Sequence, residues 1–149
     1  MATVIGFQVL GGPEFERILR SLPKGAARRV ISPALREGAK IVAAQAKREV
    51  PKRTGALQRS IRVRAGAYSR KGKVQMLAMT GEGFFKGDTY YGGFVHLGHK
   101  IGPRKLGNAR AEVQADPFLT RAGDIVEQEV VQRVSSRIKN GVIAEAFKT

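Results

Sequence analysis

The chain predicts an α+β fold: a small antiparallel sheet packed against a long helix and a C-terminal helix, joined by long extended loops. Three observations predict it. Leu35, Ala39, Val42, Ala46 and Val50 recur at helical spacing and stop at Pro51. Phe118, Ala122, Ile125, Val126, Val130, Val134, Ile138 and Val142 repeat that spacing towards the carboxyl end. Between them, Leu57, Ile61, Val63 and Ala65 alternate with Gln58, Ser60, Arg62 and Arg64, the mark of a half-buried strand, with only Arg59 out of phase.

The elements follow in order. Val4 to Leu10 reads as a short strand closed by Gly11 and Gly12. Pro13 suits a first helical position, Glu14 and Glu16 suit the first turn, and Phe15, Ile18, Leu19 and Leu22 fall at helical spacing before Pro23. A helix from near Lys24 to Val50 contains Pro33, whose ring removes one hydrogen bond and crowds the preceding turn. A kink or break is therefore expected there, with Ser32 as a new cap. After the Leu57–Ala65 strand, Ser69 to Lys73 form a cationic turn and Val74 to Thr80 return as a second strand. Residues 81–89 read as a loop carrying Phe84 and Phe85. Tyr90 to Leu97 read as a further strand, with Gly92 and Gly93 permitting a bulge. Residues 99–116 form a second long connection without periodicity. Asp116 is expected to cap the last helix with Pro117 in its first position, and Gly141 to end or weaken it. Residues 1–149 are read as one domain.

The 149 residues include no cysteine, which removes disulfides, thiolate metal sites and thiol chemistry. No apolar run approaches the ~20 residues of a membrane helix, and the first residues lack the pattern of a signal peptide. The expectation is a soluble chain retained in the cell that makes it. Net charge is +15, and all of it lies between Arg17 and Lys73, where 17 Lys and Arg face only Glu37 and Glu49. The other 10 basic residues balance 10 acidic ones. Such a concentration attracts polyanions, either nucleic acid or an acidic protein face.

Catalytic patterns are absent. His96 and His99 are three apart but are expected on a strand and beyond Gly98, a junction that does not converge two imidazoles, so no metal site is read. No serine sits in a Gly-x-Ser-x-Gly elbow. Lys71-Gly72-Lys73 lacks the upstream glycine of a phosphate loop. No catalytic, metal-binding or cofactor-binding residue is assigned. Nucleic-acid binding remains open, since Arg53, Arg59, Arg62, Arg64, Arg70, Lys71 and Lys73 would supply phosphate or acidic-partner contacts. With Tyr68 the sole aromatic among them, binding would be indifferent to sequence. Phe84 and Phe85, between glycines, suit anchors in a partner's pocket.

Three motifs carry a family resemblance. The first runs from Ala44-Gln45-Ala46 through Pro51, Thr54, Gly55, Leu57, Ser60 and Ile61. The second is Tyr90-Tyr91-Gly92-Gly93-Phe94-Val95-His96-Leu97-Gly98. The third is Pro117, Phe118 and Leu119, with Ala122. In these the chain resembles the small neck and tail-completion (head–tail joining) proteins of long-tailed, double-stranded DNA bacteriophages, over roughly residues 36–123. His96 stands where that family often carries an acidic residue, and the 99–116 connection is longer than its pattern.

The resemblance implies a non-catalytic virion protein, assembled in the host bacterial cytoplasm, forming a homo-oligomeric ring (hexamer or dodecamer) at the neck or tail top. Its implied partners are neighbouring neck, connector, tail-terminator and tail-tube proteins and, by backbone contacts, packaged DNA; no membrane is involved. His99, Arg104, Lys105 and Arg110 join Phe84 and Phe85 as expected subunit or partner contacts. A tail terminator and a sequence-neutral nucleic-acid-binding protein are the alternatives.

Overall fold

The computed structural model describes residues 17, 21, 25–52, 55–66, 75–81, 91–101 and 111–147. The amino-terminal strand, the cationic turn and the loop after Gly81 therefore lie outside the described residues. Of the expected first helix, only Arg17 and Ser21 are described, both helical.

Helix α1 spans Ala26–Glu49 after Gly25, with Lys47 and Arg48 in its last turn, where cations favour the dipole. It runs through Pro33 unbroken, so Ser32 caps nothing and the expected break does not occur. A proline inside a helix costs about 3 kcal/mol. Val30 and Ala34 flank Pro33 and are buried, as is Val42 further on. Fully burying a valine contributes about 1.5–3 kcal/mol, so a few such contacts outweigh the proline. Pro33 itself faces solvent.

Those contacts are made with the C-terminal helix, α4, Phe118–Ala146. Arg29 pairs with Glu145, Glu37 with Arg137 and Glu49 with Arg121. As one number rises the other falls, so the two helices are antiparallel. Their seam is tight at two glycines. A Cβ on Gly38 would lie 2.7 Å from a Val134 methyl, and one on Gly141 would lie 2.7 Å from a Val30 methyl. Gly141 thus does not end α4, as the sequence suggested; it lets α1 approach.

Two further expectations for α4 are corrected. Helical geometry begins at Phe118 with Pro117 as the capping residue and no side-chain cap. The Asp116 carboxylate is engaged elsewhere, 2.8 Å from Arg121, while the Asp116 carbonyl accepts from the Phe118 N–H. Ile125, placed on the apolar stripe by spacing, is 56% exposed.

The expected Leu57–Ala65 strand divides in two. Ala56–Ser60 form a short helix, α2, and only Ile61–Ala65 are strand β1. Gly55 adopts φ 71°, and its carbonyl accepts from the Arg59 N–H, which closes the turn. The Ser60 hydroxyl donates to the Leu57 carbonyl. Leu57 and Ile61, four apart, are both buried, which one helical turn achieves as well as strand alternation would. The out-of-phase Arg59 was the sign of this turn.

Strand β2, Met76–Thr80, pairs antiparallel with β1, with Ile61 opposite Thr80 and Ala65 opposite Met76. Residues opposite one another share a face. Val63 and Ala78 pack onto the core beneath, beside α1. Arg62 and Arg64 share the other face with Met79 and Leu77.

The described part of the expected Tyr90–Leu97 strand is helical instead. Gly92–Leu97 form helix α3. Gly92 is buried so closely that a Cβ would sit 2.9 Å from Leu57 and 3.0 Å from the Thr80 hydroxyl. A helical turn places Tyr91 and Val95 together against the core, and the Val95 N–H donates to the Tyr91 carbonyl to close it. The 99–116 connection also contains structure: β3, His99–Ile101, pairs antiparallel with β4, Ala111–Val113. The α+β class stands, with two small hairpins among the described residues rather than one sheet.

Candidate functional site

The three sequence motifs, far apart in the chain, meet in one place. Leu57 and Ile61 from the first, and Phe118 and Leu119 from the third, share a buried cluster with Ala43, Ala46, Val50 and Ala122. The second motif closes over it. Gly92 abuts Leu57, Tyr91 and Val95 pack on the cluster, and the His96 ring stands edge-on to Phe118 at 5.5 Å. Gly98 then turns the chain at φ 70°. A Cβ there would lie 2.7 Å from the Ala115 nitrogen, so no other residue fits between α3 and the start of α4. The Asp116 N–H donates to the Val95 carbonyl and fastens the same corner.

The electrostatics of this corner are local. Burial lowers the His96 pKa, and the Asp116 carboxylate partly opposes that shift. Arg121 is held in its charged form by its hydrogen bond to Glu49 and by Asp116. His99 turns to a different ring, Phe94, at 5.1 Å. The two imidazoles thus serve different aromatics, and among the described residues no three metal-ligating side chains converge.

On its outer side the corner presents apolar surface. Phe94 is 39% exposed, Leu97 47% and Val113 38%. Phe94 and Leu97 are one turn apart on α3, and Val113 lies opposite His99 in the small hairpin, so the exposed groups are neighbours. Sequence reasoning missed Phe94, Leu97 and Val113. The one signal for them was the Tyr91–Val95 spacing, which as a helix turns Phe94 and Leu97 outward.

The predicted contact residues are only partly brought together. Arg62 and Arg64 are exposed side by side on β1, and the Arg62 guanidinium donates to the Gly81 carbonyl at 2.7 Å. Arg59 is exposed on α2. His99 is in the corner, half-buried. Arg53, Thr54, Arg70, Lys71, Lys73, Phe84, Phe85, Arg104, Lys105 and Arg110 lie outside the described residues. Of the motif residues, Pro51 is exposed just beyond α1, whereas Leu57, Phe118 and Leu119 are core.

A family model described as "Bacteriophage HK97-gp10, putative tail-component" matches residues 14–98, more than half of the chain. The chain belongs to this family. The match takes in α1, α2, β1, β2 and α3 and ends at Gly98, so the first two motifs fall inside it while Pro117–Leu119 and α4 lie beyond. No curated protein and no solved structure matched the chain. Membership makes it a bacteriophage tail component of structural type, which meets other phage structural proteins. No helix among the described residues is long and apolar enough to cross a membrane.

Proposed function

We propose that the protein is a structural, non-catalytic component of the phage neck or tail top, part of a ring that completes the tail and joins it to the DNA-filled head. The observation that carries this reading is the family match over α1 to α3, which supply Leu57, Ile61 and the α3 side of the corner. The exposed Phe94, Leu97 and Val113 support it. Contiguous apolar side chains on a rigid base are what a packed subunit or partner contact requires. The ring is homo-oligomeric, a hexamer or dodecamer. Its neighbours are connector and tail-terminator or tail-tube proteins, and it resides in the virion after assembly in the host cytoplasm.

Electron microscopy of lysates from the parent phage with this gene deleted tests the role. Full heads beside separate tails of normal length are expected. Overlong tails would make the protein a tail terminator instead, and unaltered infectious particles would overturn both readings.

A further inference from the structure

Away from the apolar corner, α1 carries a surface of another kind. Arg29, Arg36, Lys40 and Lys47 are exposed, at spacings of seven, four and seven residues. With 3.6 residues per turn they fall within about 40° of one another around the helix axis, along roughly 27 Å of its length. Arg29 is tied to Glu145. Arg36, Lys40 and Lys47 make no ion pair among the described residues, and both carboxylates of α1 are turned to the opposite helix, Glu37 to Arg137 at 3.1 Å and Glu49 to Arg121 at 3.0 Å. The outward line is therefore of one sign. It continues past the end of α1, where Gln58 donates to the Lys47 carbonyl at 2.7 Å and brings α2 with exposed Arg59 alongside.

We propose that this line is a rail for the phosphate backbone of duplex DNA. Two features favour DNA over an acidic protein. Interfaces between proteins are built on desolvated apolar or aromatic anchors, and among the described residues of α1 the exposed non-polar side chains beside these cations are Pro33 and Ala44. A row of cations along one unbroken helix instead matches a polyanion of regular charge spacing. The row holds no aromatic on which unpaired bases could stack, and the amide beside it, Gln58, is engaged by the Lys47 carbonyl, so the ligand is double-stranded and contacted through its backbone. The inference rests on the proposed neck role only for the setting in which DNA is met.

The test uses the purified full chain and random-sequence duplex DNA, with binding measured across salt concentrations. One variant carries Arg36→Gln, Lys40→Gln and Lys47→Gln. A charge-matched control carries Arg28→Gln, Arg133→Gln and Lys139→Gln, all exposed positions away from the line. Circular dichroism melts establish that both remain folded. The line variant should flatten the plot of log affinity against log salt by about 0.9 for each phosphate that is no longer neutralised, while the control keeps the wild-type slope. Equal flattening in both variants would reduce the effect to net charge and overturn the proposal. An unchanged DNA slope with weakened binding to poly-glutamate would overturn it in favour of an acidic protein partner. Incorporation of the line variant into particles, assayed separately, reports on the neck role and not on the rail.

Discussion

The α1–α4 seam and the α3 corner use the same kinds of residue to opposite ends. In the seam, Val30, Val42, Val130, Val134 and Ile138 are buried, two glycines remove the bulk that would hold the helices apart, and three ion pairs close the edges. In the corner, a core equally buried at Phe118 and Leu57 lies beside Phe94, Leu97 and Val113, which are partly exposed. The valines and isoleucine of the seam are covered within the chain, whereas three apolar side chains of the corner keep over a third of their surface in water. If the proposed contact is made there, stability and interaction lie in different places, and substitutions should separate them.

The largest destabilisation should come from the floor of the corner. Phe118 is fully buried and stands where all three motifs meet, so Phe118→Ala should destabilise by about 3–5 kcal/mol in urea unfolding. If the cost is under about 1 kcal/mol, the motifs do not depend on one another through this ring. Next is the seam. Gly38→Val drives methyl groups into Val134 and Val130, and overpacking of this type costs about 1–3 kcal/mol. An equally stable Gly38→Val would mean that the helices can part without penalty.

How much of this was legible in the sequence follows from the reach of each signal. α1 and α4 were readable because their stripes persist over many turns, and Pro33 misled because a local cost was set against burial supplied by a helix far along the chain. The segments at Leu57–Ser60 and Tyr90–Leu97 were misread as strands for a different reason. Over four or five residues, a pair such as Leu57 and Ile61 satisfies both period 2 and period 3.6. What decides α3 is the contact of Gly92 with Leu57, which no local window contains. The β3–β4 hairpin is three residues per strand, too short to show alternation. Of the candidate site, Arg59, Arg62 and Arg64 are exposed, as a contact would require, while the apolar patch was invisible because it depends on how α3 packs.

A smaller effect should distinguish the corner by pH. Burial lowers the His96 pKa in the folded chain, so the unfolded chain binds the proton more readily. The stabilising contribution is full above the unfolded value of about 6.5 and is lost as pH falls below it, towards the lowered folded value. Melting temperature should therefore drop between about pH 7.5 and 5 more steeply in wild type than in His96→Gln. Parallel curves would show that His96 protonation does not contribute, and that Asp116 offsets the cost of burial.

A smaller effect on stability than at Phe118 is expected where the effect on assembly is greatest. Phe94 and Leu97 meet water over 39% and 47% of their surface, so Phe94→Ser with Leu97→Ser removes the burial of only about half of each side chain. Half-burial of the two together contributes about 1.5–3 kcal/mol, which should lower the urea midpoint while leaving the chain folded. Its effect on particle incorporation should nonetheless match that of deletion, because truncating the anchors of an interface also admits water to the surface around them. Gly38→Val gives the complementary case: a less stable chain whose corner is intact, and which should still incorporate at a temperature where it remains folded. If instead the corner variant assembles normally and the seam variant does not, then α1 and α4, not α3, carry the contact with neighbouring subunits.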